Sequence, residues 1–364
     1  MVGVNTPLFG GVFEGRRVLV TGHTGFKGSW LSLWLLRLGA EVTGYALAPD
    51  TEPSLYDALD LGSRMDSRIA DVRDSECLAA TVQRVRPEYI FHLAAQPLVR
   101  RSYREPVYTF EVNVMGTVNL LEAVRRWGET CLVVNVTTDK VYANSELGVR
   151  FRETDPLGGH DVYSASKACS EIVTASYRDS FLSLARPSVM VATARAGNVV
   201  GGGDWAQDRI IPDVVRALSD AEPVVVRNPE SVRPWQHVLE PVAGYLMLAE
   251  YLSSPDADSI GAVNFGPNPD ERHTVGDVVE RAIKAWGSGS WVAPDIAGQP
   301  REAGTLELDT QKAHEVLGWS PVWGFGETIA RTIEWYRRYS EGSSRAEELC
   351  VGDIAAYCDA SLHL

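Results

Sequence analysis

The residues best suited to chemistry lie in two short segments, Val136-Thr137-Thr138-Asp139-Lys140-Val141-Tyr142 and Tyr163-Ser164-Ala165-Ser166-Lys167. Tyr163 and Lys167 are four apart, so on a helix they share a face and bring a phenol and an ammonium to one place. A nearby cation favours the phenolate, which can accept a proton from an alcohol as hydride leaves the same carbon. Alone, such a pair also occurs on ordinary surface helices. Thr138 adds the hydroxyl that a simple dehydrogenation or epimerisation needs beside the pair. Asp139 and Lys140 go further, because a carboxyl next to an amine makes a second acid–base couple that hydride transfer does not require. Without such a role they would read as a capping Asp and a solvated Lys.

A third segment, Thr21-Gly22-His23-Thr24-Gly25-Phe26-Lys27-Gly28, has the form GxxGxxG. Glycines let the backbone approach a pyrophosphate, and a helix N-terminus offers unpaired N–H groups and partial positive charge. The segment follows a strand pattern and precedes a helix pattern, the context a dinucleotide site demands. Gly22, Thr24, Gly25 and Phe26 are the expected contacts. An acidic residue about 20 positions on would grip the ribose of NAD. Here the second strand ends in Ala46-Leu47-Ala48, with Asp50 beyond and no arginine placed for a 2′-phosphate, so this stretch does not choose between NAD and NADP. Asp71-Val72 reads as an adenine contact or a helix-capping turn.

These groups need a frame. Arg17–Thr21 and 41–47 read as strands, as do stretches near 68–70, 89–93, 131–136 and 189–194. Helical spacing runs over 28–38, 75–85, 106–127 and 163–180, the first stopping at Gly39. The alternation predicts an α/β fold, a doubly wound parallel sheet of Rossmann type, with a smaller C-terminal substrate lobe. The dinucleotide-binding part is expected over 1–198, rejoined by a strand near 263–265. Residues 199–364 are expected to form the substrate lobe, ending in a loosely attached tail from near Glu341. His92, within the fourth strand, reads as a core histidine.

Composition narrows the partners. The chain has 364 residues and a formal net charge of −14, which disfavours nucleic acid and anionic membrane. No apolar run is long enough to span a bilayer, and the N-terminal stretch lacks a secretory pattern, so a cytoplasmic location is expected. The five cysteines are scattered without a CxxC pair and read as free thiols; no metal site is expected.

The three motifs together resemble the extended short-chain dehydrogenase/reductase family, and within it the nucleotide-sugar 4,6-dehydratases. Members acting on TDP-glucose usually carry Thr-Asp-Glu where those acting on CDP-glucose carry Asp-Lys, and here Asp139-Lys140 stands. The stretches 20–31, 92–100, 195–205 and 233–241 also resemble the CDP-glucose branch, over about residues 12–340 in all. Thr138 stands where that branch has Ser, and Val141 where it has Cys. The resemblance implies NAD as cofactor, a nucleotide-sugar substrate of CDP-glucose type, and a homodimer or higher homo-oligomer paired through the helices near 106–127 and 163–180.

It also implies roles. Tyr163, assisted by Lys167 and Thr138, would oxidise the hexose at C4; Lys140, as a neutral amine, would take the C5 proton; Asp139 would protonate the departing C6 hydroxyl. Leu93, Ala94, Ala95 and Asn113 would line or support the cofactor site. Asn198, Arg209 and Arg233 would meet the diphosphate, arginine's planar fork suiting phosphate. Gln96 and Arg100 would face the hexose, with His237, Asn264 and Arg301 as further substrate candidates. Trp205 and Trp235 read as base-pocket walls or as core. The rival readings are a UDP- or TDP-sugar dehydratase or an epimerase of the same fold, and, from another class, a non-catalytic dinucleotide-binding regulator. Such a regulator would have no reason to keep all five of Thr138, Asp139, Lys140, Tyr163 and Lys167.

Overall fold

A sheet covered on both sides must be apolar on both, and strand β1 (Arg17–Thr21) shows how the sequence meets that demand. Val18 and Val20 enter the hydrophobic cluster on one side, Leu19 the cluster on the other. Strands β2 (Glu41–Ala46), β3 (Asp66–Ile69), β4 (Tyr89–His92), β5 (Cys131–Val136), β6 (Val189–Ala196) and β7 (Ala262–Phe265) complete the sheet, in the order β7-β6-β5-β4-β1-β2-β3. All neighbours run parallel. The structure, a computed structural model, describes residues 9–144, 148–184, 188–268, 270–294 and 306–363.

Parallel neighbours need crossovers, supplied by helices α1 (Phe26–Arg37), α2 (Ser75–Val85), α3 (Gly116–Trp127) and α4 (Val162–Tyr177). The helical stretch from Pro106 reaches α3 through a π turn at Glu111–Met115. Strand β1 lies between β2 and β4, so the chain winds away from it in both directions. That reversal opens a crevice at the C-terminal strand ends, where all three sequence motifs emerge. Helix α1 begins at Phe26 rather than Gly28, with Gly25 as its N-cap. Strand β6 runs two residues past Ala194 because Asn264 and Phe265 of β7 stand opposite Arg195 and Ala196.

After β6 come α5 (Ile210–Ser219), α6 (Leu239–Ser253), α7 (Val275–Trp286), α8 (Phe325–Ser340) and α9 (Ala346–Ser361). Three two-residue strand pairs link them: Val199–Val200 with Gln236–His237, Val224–Val225 with Trp291–Val292, and Val232–Arg233 with His273–Thr274. Among the described residues no helix is long and apolar enough to cross a membrane. His92 is buried and bonded, its Nδ1 2.7 Å from Thr21 Oγ1. Cys131, Cys350 and Cys358 are buried, Cys77 and Cys169 partly so, and all five are free.

The expectation of a loose tail is corrected. Helix α9 buries Leu349, Cys350, Ile354 and Tyr357 in the main hydrophobic cluster. The Tyr357 ring lies 5.9 Å from that of Trp34 and 5.2 Å from that of Trp323, and its hydroxyl donates to Glu240 Oε2 at 2.7 Å. The apolar spacing of 346, 349, 350, 354, 357 and 358 was a readable helical stripe. Ending the chain after Glu341 should therefore uncover Trp34 and Trp323 and lower unfolding stability by about 4 kcal/mol or more, at roughly 1.5–3 kcal/mol for each large apolar side chain exposed. A urea midpoint unchanged by that truncation would contradict this packing.

Candidate active site

The glycine-rich turn closes where β1 hands over to α1. Gly22 has φ of +78°, and a Cβ there would lie 2.7 Å from the backbone of Leu93 and Ala94. The turn can thus lie against the end of β4 only with glycine at this place. No acidic side chain stands in the first turn of α1, so its N–H groups keep their positive end for an anion. Thr24 Oγ1 donates to Leu47 O at 2.8 Å, tying the turn to the end of β2. Gly22, Thr24, Gly25, Phe26, Asp71, Val72, Leu93, Ala94 and Ala95 all line one cleft of about 1040 Å³. That space exceeds the upper range of a single small-ligand pocket and suits two neighbouring ligands.

Tyr163 and Lys167 face the same cleft from α4, whose N-terminus is capped by Asp161 accepting from Ser164 N. Lys167 Nζ donates to Val136 O at 2.9 Å, which ties the ammonium to the last residue of β5. Burial brings its pKa down to about 8, against the pull of Glu171. Burial pushes the Tyr163 phenol up to about 12, while the Thr138 hydroxyl draws it down.

Beyond β5 the chain makes a single 3₁₀ turn over Asp139–Val141. Asp139 is fully buried and does not reach the cleft surface. Its Oδ1 accepts from Thr138 Oγ1 at 2.9 Å and from Lys140 Nζ at 3.3 Å, and both donors line the cleft. Its Oδ2 has no partner and faces Gly197, where a Cβ would lie 3.2 Å away. Lys140 Nζ also donates to Asn198 Oδ1 at 3.0 Å. Hydroxyl, carboxylate, amine and Asn198 thus form one continuous hydrogen-bonded chain beside the cleft that the Tyr163 phenol also lines.

A buried network holds this wall. Glu171, on the face of Tyr163 and Lys167, accepts from Thr137 Oγ1, from Thr193 Oγ1 at 2.8 Å and from Arg195 Nε at 2.9 Å. Arg195 Nη1 donates to Tyr142 OH at 2.8 Å. One ion pair therefore fixes both ends of the segment carrying Thr138, Asp139 and Lys140.

The remaining candidates divide. Asn198, Arg209 and Arg233 line the cleft, Arg209 paired with Asp204 at 2.9 Å and Arg233 donating to Val232 O at 2.9 Å. Gln96 and Arg100 line it too, although the Gln96 amide is spent on Leu98 and Thr109. Asn113 lies behind, bonded to Gln96 N and Ser166 Oγ. His237 is not in the cleft: it is buried between the rings of Trp30 and Trp323. Asn264 is likewise buried, bonding Tyr142, Phe151 and Asp309. Trp205 packs on Trp335, Tyr336 and Tyr339, whereas Trp235 lines the cleft. Arg301 lies outside the described residues.

Sequence reasoning passed over three features. Lys27, given no role of its own within the glycine-rich segment, lines the cleft, and burial together with the Arg209 cation brings it down to about 7. Asp204 neutralises Arg209 within a stretch that was read as a family signature. Glu171 was legible, since 163, 167 and 171 repeat at a helical spacing of four. Replacing it, Glu171→Gln, leaves Arg195 buried without its counter-charge and should cost about 3–5 kcal/mol. Urea denaturation checks this, and an unshifted midpoint would remove the network from the account.

The profile of the GDP-mannose 4,6 dehydratase family matches residues 19–332. Among curated proteins, the CDP-glucose 4,6-dehydratase of Salmonella typhimurium is 48% identical over 334 residues, covering 91% of this chain and 93% of that one. Among solved structures, the dTDP-glucose 4,6-dehydratase DesIV of Streptomyces venezuelae, crystallised with NAD, aligns with a TM-score of 0.74 at 26% identity over 90% of this chain and 98% of that one. A UDP-glucose 4-epimerase of Thermus thermophilus in complex with NAD aligns with a TM-score of 0.73 at 30% identity over 88% and 99% of the two chains.

Proposed function

Since the chain belongs to the GDP-mannose 4,6-dehydratase family, we propose that it is an NAD-dependent hydro-lyase converting CDP-D-glucose to CDP-4-dehydro-6-deoxy-D-glucose and water. The observation that carries this reading is the Asp139–Lys140 couple, bonded to Thr138 beside the cleft that Tyr163 and Lys167 line. An epimerase has no use for that couple.

The residues present fit NAD. Gly22, Thr24, Gly25 and Phe26 would hold the pyrophosphate at the start of α1, Asp71 and Val72 would border the adenine, and Leu93–Ala95 would flank the cofactor between them. Bound NAD supplies a hydride acceptor for C4 and a donor for C6. Tyr163 removes the C4 hydroxyl proton, with Lys167 and Thr138 steadying the phenolate. The C4 ketone then acidifies C5, whose proton Lys140 takes. Asp139 gives its proton to the departing C6 hydroxyl. Because the carboxyl lies behind Thr138 and Lys140, the hexose must first part Lys140 Nζ from Asp139 Oδ1. Asn198, Arg209 and Arg233 would hold the diphosphate.

We read residues 1–198 with the strand near 263–265 as the dinucleotide part, and 199–364 mainly as the substrate part. The exposed Val107, Phe110 and Met115 before α3, with Ile172 and Phe181 on and after α4, favour a homodimer paired through these helices. A cytoplasmic location follows from the same reading.

Two experiments test the function. Incubated with CDP-, UDP-, TDP- and GDP-hexoses, the protein should yield a product lighter by one water from CDP-glucose; a product of unchanged mass would leave an epimerase. Asp139→Asn should slow elimination by about 10²–10⁴-fold and let bound NADH accumulate. For Lys140→Met, retained exchange of the C5 proton with deuterated water would take Lys140 out of the mechanism.

A further inference from the structure

A nucleotide sugar has three parts, and in the proposed reaction two of them have places in the cleft. The hexose lies against Thr138, Asp139 and Lys140. Lys140 bonds Asn198, which shares the cleft with Arg209 and Arg233, so the diphosphate falls next along the wall. The nucleoside must then lie further out, among the remaining cleft residues of the substrate part. Val225, Arg227, Asn228 and Ser231 line the cleft there, with Asp208 from the segment before α5. Val225 is exposed, an apolar face against which a flat ring can lie.

Asp208 and Arg227 do not meet as a fork, the arrangement in which each carboxylate oxygen takes one guanidinium nitrogen. Here Arg227 Nη1 and Nη2 both donate to Asp208 Oδ1, each at 2.9 Å. Arg100 Nη1 lies 3.6 Å from that same oxygen. Oδ2 takes none of these bonds. Arg227 has five N–H groups and uses two on Asp208. Both side chains are 34% exposed, so a ligand in the cleft can reach them. A pair so exposed adds little to stability. Asp208 also holds a left-handed backbone, with φ of +60°, which Gly, Asn and Asp adopt more readily than other residues.

We infer that this pair reads the nucleobase and selects cytosine over uracil and thymine. The inference rests on the reading of the cleft as a site for a nucleoside-diphosphate hexose. Along its pairing edge cytosine carries an amino donor at N4 and acceptors at N3 and O2. Asp208 Oδ2 with two N–H groups of Arg227 offers the complement, one acceptor and two donors, the pattern that guanine presents to cytosine. Carboxylate side chains accept from cytosine N4 in nucleic-acid recognition for the same reason. Uracil and thymine reverse two of those three atoms. Their O4 would bring an acceptor onto the carboxylate, and their N3–H a donor onto the guanidinium. Polar groups left unmatched away from water cost more than a matched pair gains, so the wrong base is rejected as well as the right one held.

Calorimetric titration of the NAD-loaded protein with CDP, UDP and TDP separates base reading from turnover. The wild type should bind CDP about 5- to 150-fold more tightly than UDP or TDP, the discrimination that one two-bond contact to a base provides. Asp208→Asn keeps a residue suited to the left-handed backbone, and its amide can donate to O4 as well as accept from N4. There the CDP-to-UDP ratio should fall to about threefold or less, with UDP bound more tightly than by the wild type. Arg227→Lys keeps the charge, but a compact ammonium cannot hold the carboxylate and present two fixed donors together. There the ratio should fall through weaker CDP binding. In either variant an unchanged ratio, or an equal loss of CDP and UDP affinity, would overturn the assignment; the equal loss would place the pair against phosphate or in the fold. A wild type without preference for CDP would overturn it too. Product masses keep the two readings apart. Loss of water from CDP-glucose upholds the reaction whatever the ratios, whereas selective CDP binding without that loss removes the reaction and keeps the base contact.

Discussion

Everything chemical in this protein depends on a fixed spacing between the end of strand β5 and helix α4. The strand delivers Thr138, Asp139 and Lys140; the helix delivers Tyr163 and Lys167. Lys167 bonds the last carbonyl of β5, and Glu171 binds the next residue, Thr137, while sharing its carboxylate with Arg195 on β6. A buried ion pair of this kind is a poor source of net stability, because desolvation offsets most of the attraction. Its value lies in direction. Few other groups could hold one segment at both ends, through Thr137 and Tyr142, against a helix lying across the sheet.

The charge of the molecule follows a similar division. The chain as a whole is strongly acidic, yet Lys27, Lys140, Lys167, Arg209 and Arg233 converge on one cleft. Local cations at short range outweigh diffuse negative charge screened by solvent, so the site can attract a diphosphate on a protein that repels polyanions. Part of that positive charge is spent inside the protein, since Asp204 faces Arg209 and Asp139 faces Lys140.

Much of this was readable from residues alone, for identifiable reasons. The strands were legible because a sheet buried on both faces demands unbroken apolar runs, as in Cys131–Val136. The site was legible where chemistry fixes spacing, as in the four-residue step from Tyr163 to Lys167. Tertiary packing was not legible. Nothing local distinguishes His237, enclosed by Trp30 and Trp323, from a ligand-facing histidine, and nothing local says that Gln96 will be consumed by Leu98 and Thr109. That Asp139 lies one hydrogen bond behind the cleft surface also depends on Gly197, distant in sequence and brought there by the sheet. The C-terminal helix shows the opposite failing, a clear apolar stripe overlooked because it follows the family-like region.

In the proposed reaction one cleft removes hydrogen from C4 and returns it to C6 while water departs between the two events. The most direct test follows a deuterium atom placed at C4 of CDP-glucose through a single turnover. Deuterium is expected at C6 of a product lighter by one water. Deuterium found again at C4, or lost to solvent as dehydration proceeds, would contradict it.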